Sequence, residues 1–518
     1  MDLISSLIFL SSGLFLGWSL GANDASNVFG SAVGSRMVRF STAAFLCSLF
    51  IIIGAVTAGA GASHGLGELG AVNALAGSFT TALAAAVTVF WMTRVGLPVS
   101  TTQAVVGAII GWNWFSGSVT DLGQLSKIVT TWVVCPILAA LFAAALYPLV
   151  VGLIRWQRPH LLRLDSQVRL GLVVAGIFGS YSLGANNIGN VMGVFVSSSP
   201  FTDLTLASGL EISGTQQLFL LGSLAIAVGV YTYSKRVMMT VGGSLMTLSP
   251  LGALVVVVAN SLVLFVFSSS ELSAFVAGLG LPPIPLIPVS SSQAVVGAVI
   301  GIGLLKGIRG ARQIQWAVLG RIASGWVTTP LIASVIAFTL LFIVQNVFSQ
   351  QVFVPRWFQI TPPVLQELER RKVPTEALSL QAEPLQSAVR FRRALRAEER
   401  LPAGQESVVM EVAELQPLWI SLQALAAMDS PRNRAVPLSD ALRQALRGLD
   451  GQRFEHPWQL DQALAEAGAG PISPAAEDWI LLHFRADGSG PDADATPGDG
   501  AALGDERGRR DSNPRPTV

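Results

Sequence analysis

Through the first 350 residues, apolar stretches follow one another with short polar breaks. Their lengths approach the roughly 20 residues that a membrane-spanning helix needs. Two polar heptads fall inside such stretches rather than between them. One is Gly21-Ala22-Asn23-Asp24-Ala25-Ser26-Asn27, and the other is Gly184-Ala185-Asn186-Asn187-Ile188-Gly189-Asn190. Each follows an aromatic-Ser-Leu triplet, Trp18-Ser19-Leu20 or Tyr181-Ser182-Leu183. Polar and ionisable groups at membrane depth mark functional sites by default. Gly and short polar side chains are poor helix interior residues, so the pattern predicts spanning helices broken at the heptads. Such breaks are tolerated where the freed backbone lines a cavity or is buried in protein.

Two further landmarks recur in the same order. Pro98-Val99-Ser100-Thr101-Thr102-Gln103-Ala104-Val105-Val106-Gly107-Ala108 is matched by Pro288-Val289-Ser290-Ser291-Ser292-Gln293-Ala294-Val295-Val296-Gly297-Ala298. Trp132-Val133-Val134-Cys135-Pro136 is matched by Trp326-Val327-Thr328-Thr329-Pro330. The three landmarks repeat at offsets of 163, 190 and 194 residues. Basic residues then orient the copies. Arg36 and Arg39 follow the first heptad, whereas Arg155, Arg158, Arg163 and Arg169 precede the second. Lys306, Arg309 and Arg312 follow the second hydroxyl-rich element, and Ser116–Ser126 after the first has no basic residue. The positive-inside rule therefore points the two copies in opposite directions.

The predicted fold is an all-α polytopic membrane protein of two inverted-topology repeats, with broken helices and re-entrant hairpins. Residues 1–155 form the first repeat, 156–169 a basic cytoplasmic linker, and 170–348 the second repeat. About five crossings per half, roughly ten in all, follow from the spanning length. The N-terminus is expected outside. Residues 1–20 lack a basic leader, so no cleaved signal peptide is expected.

Charge separates the rest of the chain. Of 65 charged residues, 22 precede position 351 and 43 lie in the last 168 residues. Residues 349–485 read as a small soluble, mostly helical domain, and 486–518 as a disordered tail rich in Gly, Asp, Pro and Arg. Counting crossings places this region outside the cell, and a cytoplasmic tail is the competing reading. A net charge of +1 gives no case for nucleic acid, and Cys47 and Cys135 make no disulfide framework. No Ser/His/Asp triad, Cys/His metal cluster or phosphate loop is evident, so neither an enzyme nor a bound cofactor is expected.

The heptads and hydroxyl runs carry the candidate chemistry. Freed carbonyls with Asp24, Asn27, Asn187 and Asn190 suit a hard alkali cation, with Asp24 as a sodium ligand. The competing reading is interhelical hydrogen bonding at a tight contact. Ser and Thr after proline look like helix N-caps. Free N–H groups there, with Ser100, Thr101, Thr102, Gln103, Ser290, Ser291, Ser292 and Gln293, can hold an anion without a basic side chain. Asn23 and Asn186 are candidates to help fix it. The alternative is a proline-kinked helix whose hydroxyls bond back to the i−4 carbonyl. Arg94 and Arg321 are read as snorkelling to the interface or pairing with an acid.

At these residues the chain resembles the inorganic phosphate transporter (PiT) family. The likeness rests on Gly21–Asp24, on its altered copy Gly184–Asn187, on both hydroxyl-rich elements and on Lys235–Gly242, and it spans about 1–348. It implies sodium- or proton-coupled import of inorganic phosphate by alternating access, in the plasma membrane. Anion and cation would meet between the heptads and the hairpins. The expected partners are phosphate, the coupling cation, the bilayer and a second copy in a homodimer. A sulfate or other oxyanion permease, and a passive anion channel, are the alternatives. Two departures stand out. Asn187 occupies a place where the family usually has Asp, which implies fewer or weaker cations. Gln103 and Gln293 replace the His of many relatives, so no proton relay is available there.

Overall fold

The computed structural model describes residues 3–484 except 68, 71, 95–98, 202–203, 206–210, 242–248, 313, 376–377, 379, 382, 399–404, 422–438, 471, 473–475, 477–479 and 482–483. Pro98, the end of the 235–242 stretch and the expected tail at 486–518 lie outside the described residues.

The first half contains α1 (Leu3–Gly34), α2 (Phe40–Ala58), α3 (Ala60–Gly67), α4 (Leu75–Arg94), α5 (Thr101–Ser116) and α6 (Leu122–Gln157). The second half begins with α7 (Leu161–Met192) and a small pair of strands, β1 (Leu204–Thr205) and β2 (Glu211–Ile212). It continues through α8 (Gly214–Thr232), α9 (Ser234–Val241), α10 (Pro250–Ser268), α11 (Ser270–Gly278), α12 (Ser291–Leu305), α13 (Gly307–Ala311) and α14 (Trp316–Asn346). Among the described residues, eight helices are long and apolar enough to cross a membrane. Helices α5 and α12 have 16 and 15 residues. At 1.5 Å per residue they fall short of a hydrocarbon core about 30 Å thick. The expected ten crossings resolve into eight full-length helices and two half-length ones.

The heptads do not break their helices. Helix α1 continues through Gly21–Asn27 and α7 through Gly184–Asn190. The physical reason is that their polar side chains find partners on other segments and leave the backbone ladder intact. Ser26 alone turns back, donating from Oγ to the Asn23 carbonyl at 2.7 Å. The interruptions fall at the hydroxyl runs instead. Ser100 and Ser290 are extended residues, at φ −94°, ψ 122° and φ −85°, ψ 115°, from which α5 and α12 start.

The heptad glycines have another use. A Cβ at Gly21 would stand 2.0 Å from the Ile226 carbonyl oxygen, and one at Gly184 2.1 Å from that of Ile51. Only glycine lets α1 cross α8, and α7 cross α2, at that separation. The crossings are reciprocal, because Gly229 faces the Trp18 carbonyl and Gly54 that of Tyr181. The hydroxyl-rich elements obey the same rule. Gly107 of α5 meets Pro330 of α14, and Gly297 of α12 meets Pro136 of α6. The third landmark of each half is therefore the packing surface for the second landmark of the other. Helices α1 and α7 run antiparallel: Gly13 meets Met192 and Phe195, while Gly176 and Gly179 meet Phe29 and Val28.

After α14 helices remain the commonest element among the described residues, now joined by short strands. Helices α15 (Pro362–Arg370), α16 (Ala388–Glu398) and α17 (Gln405–Ala413) alternate with short strands. Strand β3 (Trp357–Phe358) lies between β4 (Leu385–Gln386) and β5 (Glu414–Leu415), and β6 (Leu418–Trp419) pairs with β7 (Arg453–Phe454), all antiparallel. Prolines at 355, 374 and 384 cut the first part into pieces too short for helices. Two separate cores result. Phe358, Val364, Leu368 and Phe391 centre one, and Leu418, Leu442, Leu446 and Leu460 the other, which includes helices Asp440–Gly448 and Pro457–Glu466.

This region is fastened to the far end of α5. The Gly117 carbonyl accepts from Ser387 Oγ at 2.8 Å and from the Val389 N–H at 3.3 Å. Trp112 Nε1 donates to the Val352 carbonyl at 3.0 Å. Asn73 and Val354 exchange two bonds, of 3.0 and 2.9 Å.

Candidate functional site

The starts of α5 and α12 face one small cavity. Each N-cap serine accepts a bond from the backbone N–H three residues on, Ser100 from Gln103 at 3.5 Å and Ser290 from Gln293 at 3.3 Å. Caps of this kind leave other first-turn N–H groups free. The cavity is narrow and is lined by Asp24, Val99, Ser100, Thr101, Thr102, Asn187, Ser290, Ser291 and Ser292. One carboxylate and two helix N-termini therefore converge from α1, α5, α7 and α12. The N-termini contribute positive potential without a basic side chain, and Asp24 contributes the one formal charge in the lining.

A hydrogen-bond chain ties the heptads to the hairpins. Ser291 Oγ donates to Asp24 Oδ2 at 3.0 Å and accepts from Asn27 Nδ2 at 2.9 Å. Asn187 Nδ2 reaches the same carboxylate oxygen at 3.5 Å. Asn190 Nδ2 donates to Asn187 Oδ1 and to Thr102 Oγ1, both at 2.9 Å. Asn23 Nδ2 approaches Asp24 Oδ1 at 3.4 Å. The two halves thus meet through side chains separated by up to 267 residues in sequence.

The sequence-selected residues divide into three groups. Asp24, Asn187, Ser100, Thr101, Thr102, Ser290, Ser291 and Ser292 border the cavity. Asn27 and Asn190 stand behind it and orient Ser291 and Thr102. Gln103, Gln293, Asn23 and Asn186 are not among its lining residues. The carboxamides of Gln103 and Gln293 are buried without a protein partner. Asn186 directs its amide at the backbone of Val289. Asn23 borders a second cavity of about 50 Å³, with Trp18, Ser19, Phe90, Arg94 and Tyr233. Arg94 lies over the Phe90 ring, 5.0 Å from its centre. Composition and spacing did not single out Val99 or Val289: Val99 is an apolar wall of the cavity, and Val289 contributes its backbone to Asn186. Their recurrence at the 190-residue offset was the available signal.

Among the described residues, no cluster of three or more His, Cys, Asp or Glu stands ready for a metal ion. The donors around Asp24 are carboxylate, carboxamide and hydroxyl oxygens, the set that suits a hard alkali cation.

Comparison with known proteins gives a consistent picture. The sequence profile of the phosphate transporter family matches residues 20–274 and 285–436. A candidate phosphate permease of Methanocaldococcus jannaschii is 28% identical over 338 residues, covering 65% of this chain and 97% of its own. One from Haemophilus influenzae is 24% identical over 441 residues, covering 67% and 100%. A sulfate permease of Bacillus subtilis is 28% identical over 334 residues, covering 63% and 84%. Among solved structures, a sodium-dependent phosphate transporter has a similar fold. The TM-score is 0.51 at 21% identity, over 66% of this chain and 98% of that one.

Proposed function

Because this chain belongs to the phosphate transporter family, we propose that it imports inorganic phosphate by alternating access, driven by a cation. The observation that carries this reading is the shared cavity. Two opposed helix N-termini supply N–H and hydroxyl donors for an oxyanion. Asp24 sits beside them, bonded to Ser291. Phosphate keeps a proton near neutral pH and can donate it to the Asp24 carboxylate, which sulfate cannot do. The same carboxylate, with Asn187 and neighbouring carbonyls, serves the cation. Asn187 brings no second charge, so one bound cation balances the Asp24 carboxylate.

An inverted repeat underlies the mechanism. The antiparallel course of α1 and α7 and the reciprocal crossings support it. Carriers of this type bind substrate near the midplane between repeats. The arginines after α1 and before α7 orient the protein in the cell membrane. The region after α14 then lies outside, because it docks on Gly117, in a connection free of Lys and Arg through Ser126.

The Bacillus subtilis relative supports a second reading, a sulfate permease of the same architecture. Uptake of radiolabelled phosphate and sulfate into proteoliposomes tests both, under sodium, potassium or pH gradients, for wild type and Asp24→Asn. Phosphate uptake that depends on a cation gradient and is lost in the variant is the expected result. Preferential sulfate uptake, uptake without any cation gradient, or an unaffected variant would overturn it.

A further inference from the structure

The leading asparagines of the two heptads stand in opposite states. Asn186 closes a two-bond ring with the hairpin backbone: Nδ2 donates to the Val289 carbonyl at 2.7 Å, and Oδ1 accepts the Val289 N–H at 2.9 Å. A carboxamide matches a peptide unit donor for acceptor, so the ring leaves no polar atom of that amide or of Val289 orphaned. It also fixes the residue just before the Ser290 cap, and hence the start of α12. The repeat puts Asn23 and Val99 in the corresponding places, at the offsets of 163 and 190 residues. There the ring is not made. Asn23 is partly exposed and turns its amide toward Asp24. Asn23 and Ser19 instead border the cavity of about 50 Å³ beside Arg94, and the buried Ser19 hydroxyl has no protein partner.

We propose that Asn23 and Asn186 are alternating hairpin latches, each closing the phosphate cavity toward one side by pairing with the backbone of Val99 or Val289. This rests on the carrier reading above. In this structure the Val289 latch is made and the Val99 latch is not, and Asn23 borders the cavity beside Arg94. Reversal breaks the Asn186 ring and makes the Asn23 ring. Both asparagines are positioning residues: they set where the Ser100 and Ser290 helix starts lie, and neither borders the cavity between them.

The test reads conformation directly. Val237→Cys places a thiol on the partly exposed lining of the cavity beside Arg94, and the native Cys47 and Cys135 are buried, giving a low background. Maleimide labelling rates are compared in purified full-length protein, with phosphate uptake measured in parallel. Asn186→Ala should slow labelling about tenfold, the order expected for loss of two buried hydrogen bonds that hold this state. Asn23→Ala should leave labelling unchanged or faster, because the closed state at that side loses its latch. Both variants should lose uptake. A merely structural role would move labelling in the same direction for both, and that result, or no slowing in Asn186→Ala, overturns the proposal. If Asn186→Ala does not purify as a single species, Asn186→Asp keeps the acceptor for the Val289 N–H. A smaller slowing is expected for it, and unchanged labelling overturns the proposal equally. Labelling needs no substrate. Opposite responses in a protein that takes up no phosphate would keep the latches and reject the substrate.

Discussion

Replacing Gly21 by alanine tests the packing on which the site depends. The new Cβ would lie 2.0 Å from the Ile226 carbonyl oxygen, where ordinary contact begins near 3.4 Å. That oxygen belongs to the α8 backbone and cannot rotate away, so the two helices must part. Overpacking of this kind costs about 1–3 kcal/mol. Gly30 lies two and a half turns further along the same helix and is the control. Its added Cβ meets Ser26 Cβ at 3.5 Å and Met238 at 3.8 Å. With space available, Gly30→Ala should gain roughly 0.5–1 kcal/mol from helix propensity. The assay is thermal unfolding in detergent, followed by tryptophan fluorescence and by the fraction that stays monodisperse. Gly21→Ala should unfold at a lower temperature than wild type, and Gly30→Ala at the same temperature or higher. Gly184→Ala should match Gly21→Ala, since its Cβ meets the Ile51 carbonyl at 2.1 Å. Equal stability of Gly21→Ala and Gly30→Ala would refute the close-crossing argument.

Three other outcomes are expected. Asn187→Asp restores a second carboxylate beside Asp24 and should raise the number of cations moved per phosphate, read from paired sodium and phosphate fluxes; an unchanged ratio counts against a one-cation site. Ser291→Ala removes the hydroxyl shared by Asp24 and Asn27, and should raise the KM for phosphate about 10-fold, the order of a charge-assisted hydrogen bond; an unchanged KM would place the anion elsewhere. In the C-terminal region, burial pushes the Glu367 carboxyl up, but hydrogen bonds from Arg370 and Arg371 outweigh it and hold the group below its ordinary value. Its stabilisation is therefore present above the unfolded carboxylate range and drains away as pH falls through the lowered value. Glu367→Gln should lower the unfolding temperature at pH 7 and make little difference at pH 3, and equal losses at both would contradict the sign.

Some of this architecture is written locally and some is not. The hydroxyl runs could be read as helix starts because an N-cap is set within four residues, and Ser100 and Ser290 cap as their neighbours imply. Gly21 and Gly184 were legible as special but not for the right reason. Local propensity reads glycine among asparagines as a break. The backbones these glycines pack against, at Ile226 and Ile51, lie 205 and 133 residues away. The repeated Trp-to-Pro landmark was visible as a repeat, yet its role appears only when Pro136 and Pro330 meet Gly297 and Gly107 from the opposite half. The strand pairs after α14 escaped notice because two-residue strands leave no periodicity. Their register comes from partners such as Trp357 and Leu415 across the domain.

The bonds from Ser387 and Val389 to Gly117 divide the labour between the hairpins. One helix start is carried on a shaft bolted to a folded body in water, and the other on a shaft with no such attachment among the described residues. Any rocking that moves α5 must drag that body through solvent, while α12 swings light. The two halves, matched in sequence, are thus unequally anchored: under the carrier mechanism proposed above, α5 moves with a load that α12 does not carry.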